Sequence, residues 1–101
     1  MRFDKTGKEE LLAALAAKHK ITATSLDVFI AYAMDAPNWS GSPLIGGNVG
    51  GGKEERGNLT QLKQAGLIST VRDDDRKDLA WLYFSPLGLE LAAALGIETG
   101  N

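Results

Sequence analysis

The chain lacks cysteine altogether and has a single histidine, His19, among 101 residues. No disulfide or thiolate ligand is available, and His19 has no second imidazole with which to hold a metal. Neither a metal nor a cofactor is expected. Long apolar runs are missing too: none approaches the ~20 residues of a membrane span, and the N-terminal MRFDKTGKEE has no apolar signal core. These absences imply a cytoplasmic chain with no membrane contact, held together by its core alone. No Ser/His/Asp or Cys/His set is present, and paired-carboxylate chemistry needs a cleft that so small a chain hardly offers, so an enzyme is not expected. An excess of positive charge is also absent. Lys and Arg number 11 against 13 Asp and Glu, a formal net charge of −2 with a pI near 5.3. That argues against indiscriminate coating of nucleic acid but not against a locally positive face.

What is present is enough for one domain spanning 1–101, with 44% hydrophobic and 24% charged residues, able to bury roughly two-thirds of its unfolded surface. Its organising stretch is Asn58 to Gly88. Leu59, Leu62 and Ala65 recur at helical spacing, and Gly66 can take the left-handed conformation that closes a helix. Leu67 to Val71 is β-branched and apolar enough for a strand. The run RDDDRKD, Arg72 to Asp78, must be a solvated turn, and Leu79 to Phe84 is a second strand. Ser85-Pro86 then supplies a helix cap followed by proline at the first helical position.

Around this skeleton lie three further segments. Thr6-Gly7-Lys8-Glu9 fits a capping box, with Leu11, Leu12, Leu15 and Ala16 as the stripe of a first helix ending at Lys18-His19-Lys20, cations suited to the negative end of its dipole. Thr22 or Thr24 caps a second helix to about Asp35, with Leu26, Phe29, Ile30, Ala33 and Met34 on the buried face and Tyr32 off it. Trp39 anchors the loop that follows, and Ser42 to Ile45 has room for one short helical turn. After the strands, Leu87, Leu91, Ala94 and Leu95 form the stripe of a last helix, Gly96 ends it, and Ile97 to Asn101 is expected to fray.

Two motifs suggest chemistry and fail on inspection. Gly47 to Lys53 matches the opening of a phosphate-cradling loop, yet Glu54 stands where a hydroxyl would bind magnesium, and no full strand precedes it. A third helix can start only at about Gly52 or Lys53, because five glycines from Gly46 to Gly52 disfavour helix. The carboxylates of Asp73, Asp74, Asp75 and Asp78 lack the spacing of a calcium loop and are neutralised locally by Arg72, Arg76 and Lys77. A third pattern is more productive. With Leu59 and Leu62 inward, Lys53, Arg56, Gly57, Thr60, Gln61, Lys63 and Gln64 face outward on the third helix. Arg, Lys, Gln and Thr are residue types that hydrogen-bond base edges and phosphates. A solvated helix and hairpin explain the same residues equally well on composition alone.

The span Thr22 to Leu95 resembles the winged-helix domains of MarR-type bacterial transcription regulators. Ile21 to Phe29 is similar to the helix that opens their core. Leu59-Thr60-Gln61-Leu62-Lys63-Gln64-Ala65-Gly66-Leu67-Ile68 resembles the LxxLxxxGLI turn from recognition helix into wing, and Phe84-Ser85-Pro86-Leu87-Gly88 the turn into the next helix. The resemblance implies an α+β winged helix: a three-helix core with a two-stranded β-wing, plus N- and C-terminal helices. It divides the chain into 1–20, an N-terminal helix, 22–84, a helix-turn-helix and wing, and 85–101, a C-terminal helix and tail. It further implies sequence-specific binding of double-stranded DNA by a small transcriptional regulator. Lys53, Arg56, Thr60, Gln61 and Lys63 would then enter the major groove, with Arg72, Arg76 and Lys77 holding the backbone. Such domains commonly act as homodimers that read two half-sites. One pair stands apart: if Leu82 and Phe84 face the core, Trp81 and Tyr83 lie on the outer face of the ribbon. They would cover the Leu11–Leu15 stripe, form a homodimer seam or meet another protein. The alternative reading is therefore a winged-helix protein-interaction module without DNA binding.

Overall fold

Leu12, Leu15 and Ala16 recur at helical spacing, and they form one side of α1, Lys5–His19. The structure is a computed structural model that describes residues 5–47, 49, 53–76 and 78–100. Ala16 is buried, with Leu12 and Leu15 packed against the core. The helix already includes Lys5, so Thr6 lies inside its first turn and not at the expected cap. The side chains of residues 5–9 lie outside the description.

The C-terminal end of α1 is closed in an unusual way. Lys20 adopts φ +58, while its N–H donates to Ala17 O and that of Ile21 to Ala16 O at 2.9 Å. The same pair of bonds closes two later helices through glycine, at Gly66 with φ +77 and Gly96 with φ +72. A side chain in this left-handed region costs on the order of 1 kcal/mol relative to glycine. Lys20→Gly is thus expected to raise the urea midpoint by an amount equivalent to about 1 kcal/mol; no change would mean that the left-handed turn is not populated.

Thr22 is the N-cap of α2, Ala23–Asp35, accepting from the Ser25 N–H at 3.0 Å. The buried face of α2 is Ser25, Leu26, Phe29, Tyr32 and Ala33, whereas Met34 is 65% exposed. This reverses the expected placement of Tyr32 and Met34. Tyr32 goes inward because its hydroxyl finds a partner there, accepting from the Gly46 N–H at 3.1 Å, which removes the penalty for burying the phenol. A short 3₁₀ turn, Ala36–Trp39, follows. Pro43 to Ile45 is not the helical turn expected for Ser42 to Ile45 but an extended bridge. Leu44 pairs with Trp81, Ile45 N–H donates to Ala80 O at 2.9 Å and Leu82 N–H to Pro43 O at 2.9 Å.

The third helix, α3, runs Lys53–Gln64 and buries Leu59 and Leu62. Strands β1, Ile68–Arg72, and β2, Ala80–Phe84, form an antiparallel ribbon with Ile68 opposite Phe84 and Arg72 opposite Ala80. Leu82 is fully buried, and Phe84 meets Phe29 edge to face at 5.5 Å. The last helix is α4, Pro86–Ala94, capped by Ser85, which accepts from Gly88 N–H at 3.0 Å. Its buried residues are Gly88, Leu91 and Ala92; Leu87 and Ala94, expected on that stripe, are exposed. The stripe is rotated because Gly88 lies directly against the Leu67 carbonyl, leaving no room for a side chain on that side. Nor does the described part of the tail fray. Ile97 packs on the core, Thr99 is buried, and Gly100 lies beside Pro37 and Gly41. Among the described residues the fold is α+β, four helices with a two-stranded antiparallel sheet.

Candidate functional site

α3 is positioned by a polar seam as well as by Leu59 and Leu62. The hydroxyl of Ser25, almost fully buried, donates to Asn58 Oδ1 at 3.0 Å, and Thr22 N–H donates to Gln61 Oε1 at 2.6 Å. These two bonds join the start of α2 to one flank of α3. They leave Arg56, Gly57, Thr60, Lys63 and Gln64 exposed on the other side. Thr60 donates its hydroxyl proton to Arg56 O at 2.9 Å, so it presents an acceptor and a methyl group outward. Lys63 Nζ reaches Thr70 Oγ1 at 3.5 Å. Thr70 and Arg72 share a face of β1 by strand alternation, which puts Arg72 on the side of the ribbon toward which Lys63 leans.

Arg56, Thr60, Lys63 and Arg72 are therefore brought to one side of the molecule. From Arg56 through Arg72 the chain contains no Asp or Glu, although Glu54 and Glu55 precede Arg56 in α3 and Asp73 to Asp75 follow Arg72. The other candidates behave differently. Gln61 is partly buried, with its carbonyl oxygen committed to α2. Arg76 is turned onto Asp78 through Nη2–Oδ2 and Nε–Oδ1 contacts of 3.3 Å, both side chains exposed. Lys77 lies outside the described residues, as does the side chain of Lys53, of which only the helical backbone is described.

Beside α3 lies a groove of about 440 Å³ lined by Lys18, His19, Lys20, Gln61, Gln64, Ala65 and Leu87. It gathers the end of α1, the end of α3 and the first turn of α4. In sequence the basic trio at 18–20 explains itself as a dipole complement for its own helix. Its proximity to Gln64, far along the chain, carries no local signal.

The opposite face of the ribbon is apolar. Val71 is 51% and Tyr83 43% exposed. Trp81, partly buried, meets Trp39 edge to face at 5.7 Å, so it packs on the 3₁₀ turn. Each indole is fixed by a carboxylate: Trp39 Nε1 donates to Asp35 Oδ2 at 2.8 Å and Trp81 Nε1 to Asp73 Oδ2 at 3.1 Å. The other Asp73 oxygen accepts from the Asp75 and Arg76 N–H groups, both at 2.9 Å, which shapes the start of the turn. The Trp81 N–H, then the Arg76 and Asp75 N–H groups, hold the Asp73 carboxyl below its ordinary value of 3.8. A depressed folded-state value means that the stabilisation is present above the unfolded pKa and is lost as pH falls through the folded one. The indole N–H resonance of Trp81 should accordingly titrate with a midpoint below 3.8, with Trp39 as internal comparison. A midpoint at or above the ordinary value would contradict this turn.

Among the described residues no cluster of three or more His, Cys, Asp or Glu could hold a metal, and no helix is long and apolar enough to cross a membrane. Comparison of the chain with protein-family models, curated proteins and solved structures gives no significant match.

Proposed function

We propose that this chain is a winged-helix domain that binds double-stranded DNA as a small regulator, with α3 as recognition helix and the β1–β2 hairpin as wing. The feature that supports the reading is the exposed set Arg56, Thr60, Lys63 and Arg72 on the outward side of α3 and the adjoining face of β1, drawn from a stretch of sequence without Asp or Glu. The order of elements agrees: α2, an extended bridge at Pro43–Ile45 paired to β2, α3, the hairpin and α4. A helix seated in a major groove would offer the Arg56 guanidinium to guanine O6 and N7, and the Thr60 methyl to a thymine. Lys63 and Arg72 would neutralise phosphates on the flanking strand. The function proposed is one of binding.

The test is fluorescence anisotropy of mixed-sequence duplexes over a salt series. The logarithm of affinity should fall steeply and linearly with the logarithm of salt; Lys63→Ala should reduce the slope by about 1, while Arg56→Ala should weaken binding about tenfold. Absent or salt-insensitive binding would overturn the reading. The exposed Val71–Tyr83 face favours the second reading, a protein-interaction module, which would retain partner binding in Arg56→Ala.

A further inference from the structure

We propose that the groove between the end of α1 and the start of α4 holds backbone phosphates of the duplex beside α3, through Lys18, His19, Lys20, Gln61 and Gln64. The inference rests on the DNA reading above and extends the contact surface to a helix outside the span that resembles a winged helix. Its first ground is continuity. Arg56, Thr60 and Gln64 form one row of α3 at four-residue spacing, and Gln64 lines the groove. Eight residues of helix rise about 12 Å, close to the width of a B-form major groove. A helix with Arg56 over base edges would place its Gln64 end at the phosphate wall.

The second ground is the chemistry of the lining. Among the described residues it contains three basic side chains, two amides and no carboxylate. Gln61 uses its carbonyl oxygen on Thr22, so its two amide N–H donors remain for an acceptor. The carbonyls of Ala16 and Ala17, which would repel an anion at this end of α1, are occupied by the closing bonds from Ile21 and Lys20. Leu87 sits in the first turn of α4, so the positive end of that helix dipole adjoins the groove.

The third ground is independent of both. Lys20 is held at φ +58 where α3 and α4 use glycine for the same closure. A side chain kept in a strained backbone conformation at a charged groove points to a use for the ammonium group.

The experiment compares wild type, Lys20→Gly and the Lys18→Ala/Lys20→Gly double variant on the same mixed-sequence duplex. Lys20→Gly should fold more stably yet bind less tightly, so weaker binding cannot be ascribed to unfolding. Each lost phosphate contact should flatten the salt slope by about 0.9, and the double variant by about 1.8, equally for all sequences. An unchanged slope in the double variant, with Arg56→Ala still weakening the complex, overturns the groove assignment and leaves the DNA reading standing. Failure of wild type to bind any duplex removes both. Titration with inorganic phosphate alone, followed at the amides of Lys18 to Ile21, should show no saturable shift at millimolar concentration. Saturable binding there with no change in the duplex slope would reassign the groove to a small free anion and overturn the proposal.

Discussion

Gly88→Ala is expected to destabilise the protein by about 3 kcal/mol, whereas the same change at Gly57 should stabilise it by up to about 1 kcal/mol. A Cβ at Gly88 would stand 2.1 Å from the Leu67 carbonyl oxygen, more than 1 Å inside ordinary contact. Relief requires moving α4 away from the turn between α3 and β1, and that turn is heavily bonded. Leu67 O accepts from Ser85 N–H at 3.1 Å, Ser85 Oγ donates to Gly66 O, and Gly88 N–H donates back to Ser85 Oγ. Shifting α4 strains or breaks the whole set, and overpacking against backbone has no flexible side chain to absorb it. Gly57 is different. Its Cβ would meet nothing within 4 Å, and its place inside α3 means that glycine there only adds disorder to the unfolded chain. Thermal melts followed by circular dichroism should show Gly88→Ala lower by roughly 15 °C and Gly57→Ala slightly higher. A Gly88→Ala variant within about 1 kcal/mol of wild type would mean that α4 does not dock on Leu67.

The junction at Gly66, Ser85 and Pro86 was legible in sequence as a helix stop, a cap and a proline, because caps and turns act through neighbouring residues. The placement of α3 and of both strands followed to within a residue from the glycine run, the helical spacing of Leu59 and Leu62, and two apolar stretches around a charged turn. What sequence left open depends on partners far along the chain. Tyr32 and Met34 exchange places because a phenol needs an acceptor or donor, and Gly46 supplies one. Pro43 to Ile45 is too short to announce itself as a strand and becomes extended only by pairing with β2. The tail from Ile97 to Gly100 packs because Pro37 and Gly41 leave it a seat. At the candidate site the outward set on α3 came from periodicity, but its division did not. Gln61 is drawn to Thr22, Arg76 to Asp78, and Lys18 and Lys20 arrive from a helix that spacing alone assigns to a different task.

Reversing charge at both Arg56 and Lys63, as Arg56→Glu/Lys63→Glu, is expected to weaken duplex binding by about 10²- to 10³-fold at moderate salt. Each contact to a phosphate or base is worth about 1–3 kcal/mol, and two carboxylates facing the backbone add repulsion to the loss. Both side chains are exposed, so the melt should move little and the loss of binding can be read as a surface effect. Val71→Asp/Tyr83→Ser provides the matching control, since these positions lie on the other face of the ribbon and should leave duplex affinity within about twofold. The reverse pattern would transfer the binding surface to the apolar face and sink the assignment of α3. Arg76 sharpens the comparison. Its guanidinium is held by Asp78, so Arg76→Ala should cost little affinity, while Asp78→Asn should release the cation toward DNA and strengthen binding with a steeper salt slope. Exposed pairs of this kind contribute about 0–1 kcal/mol to folding, so the fold tolerates the release. If Asp78→Asn left both affinity and slope unchanged, the wing tip would not approach the backbone, and contact would be confined to α3 and the base of the hairpin at Arg72.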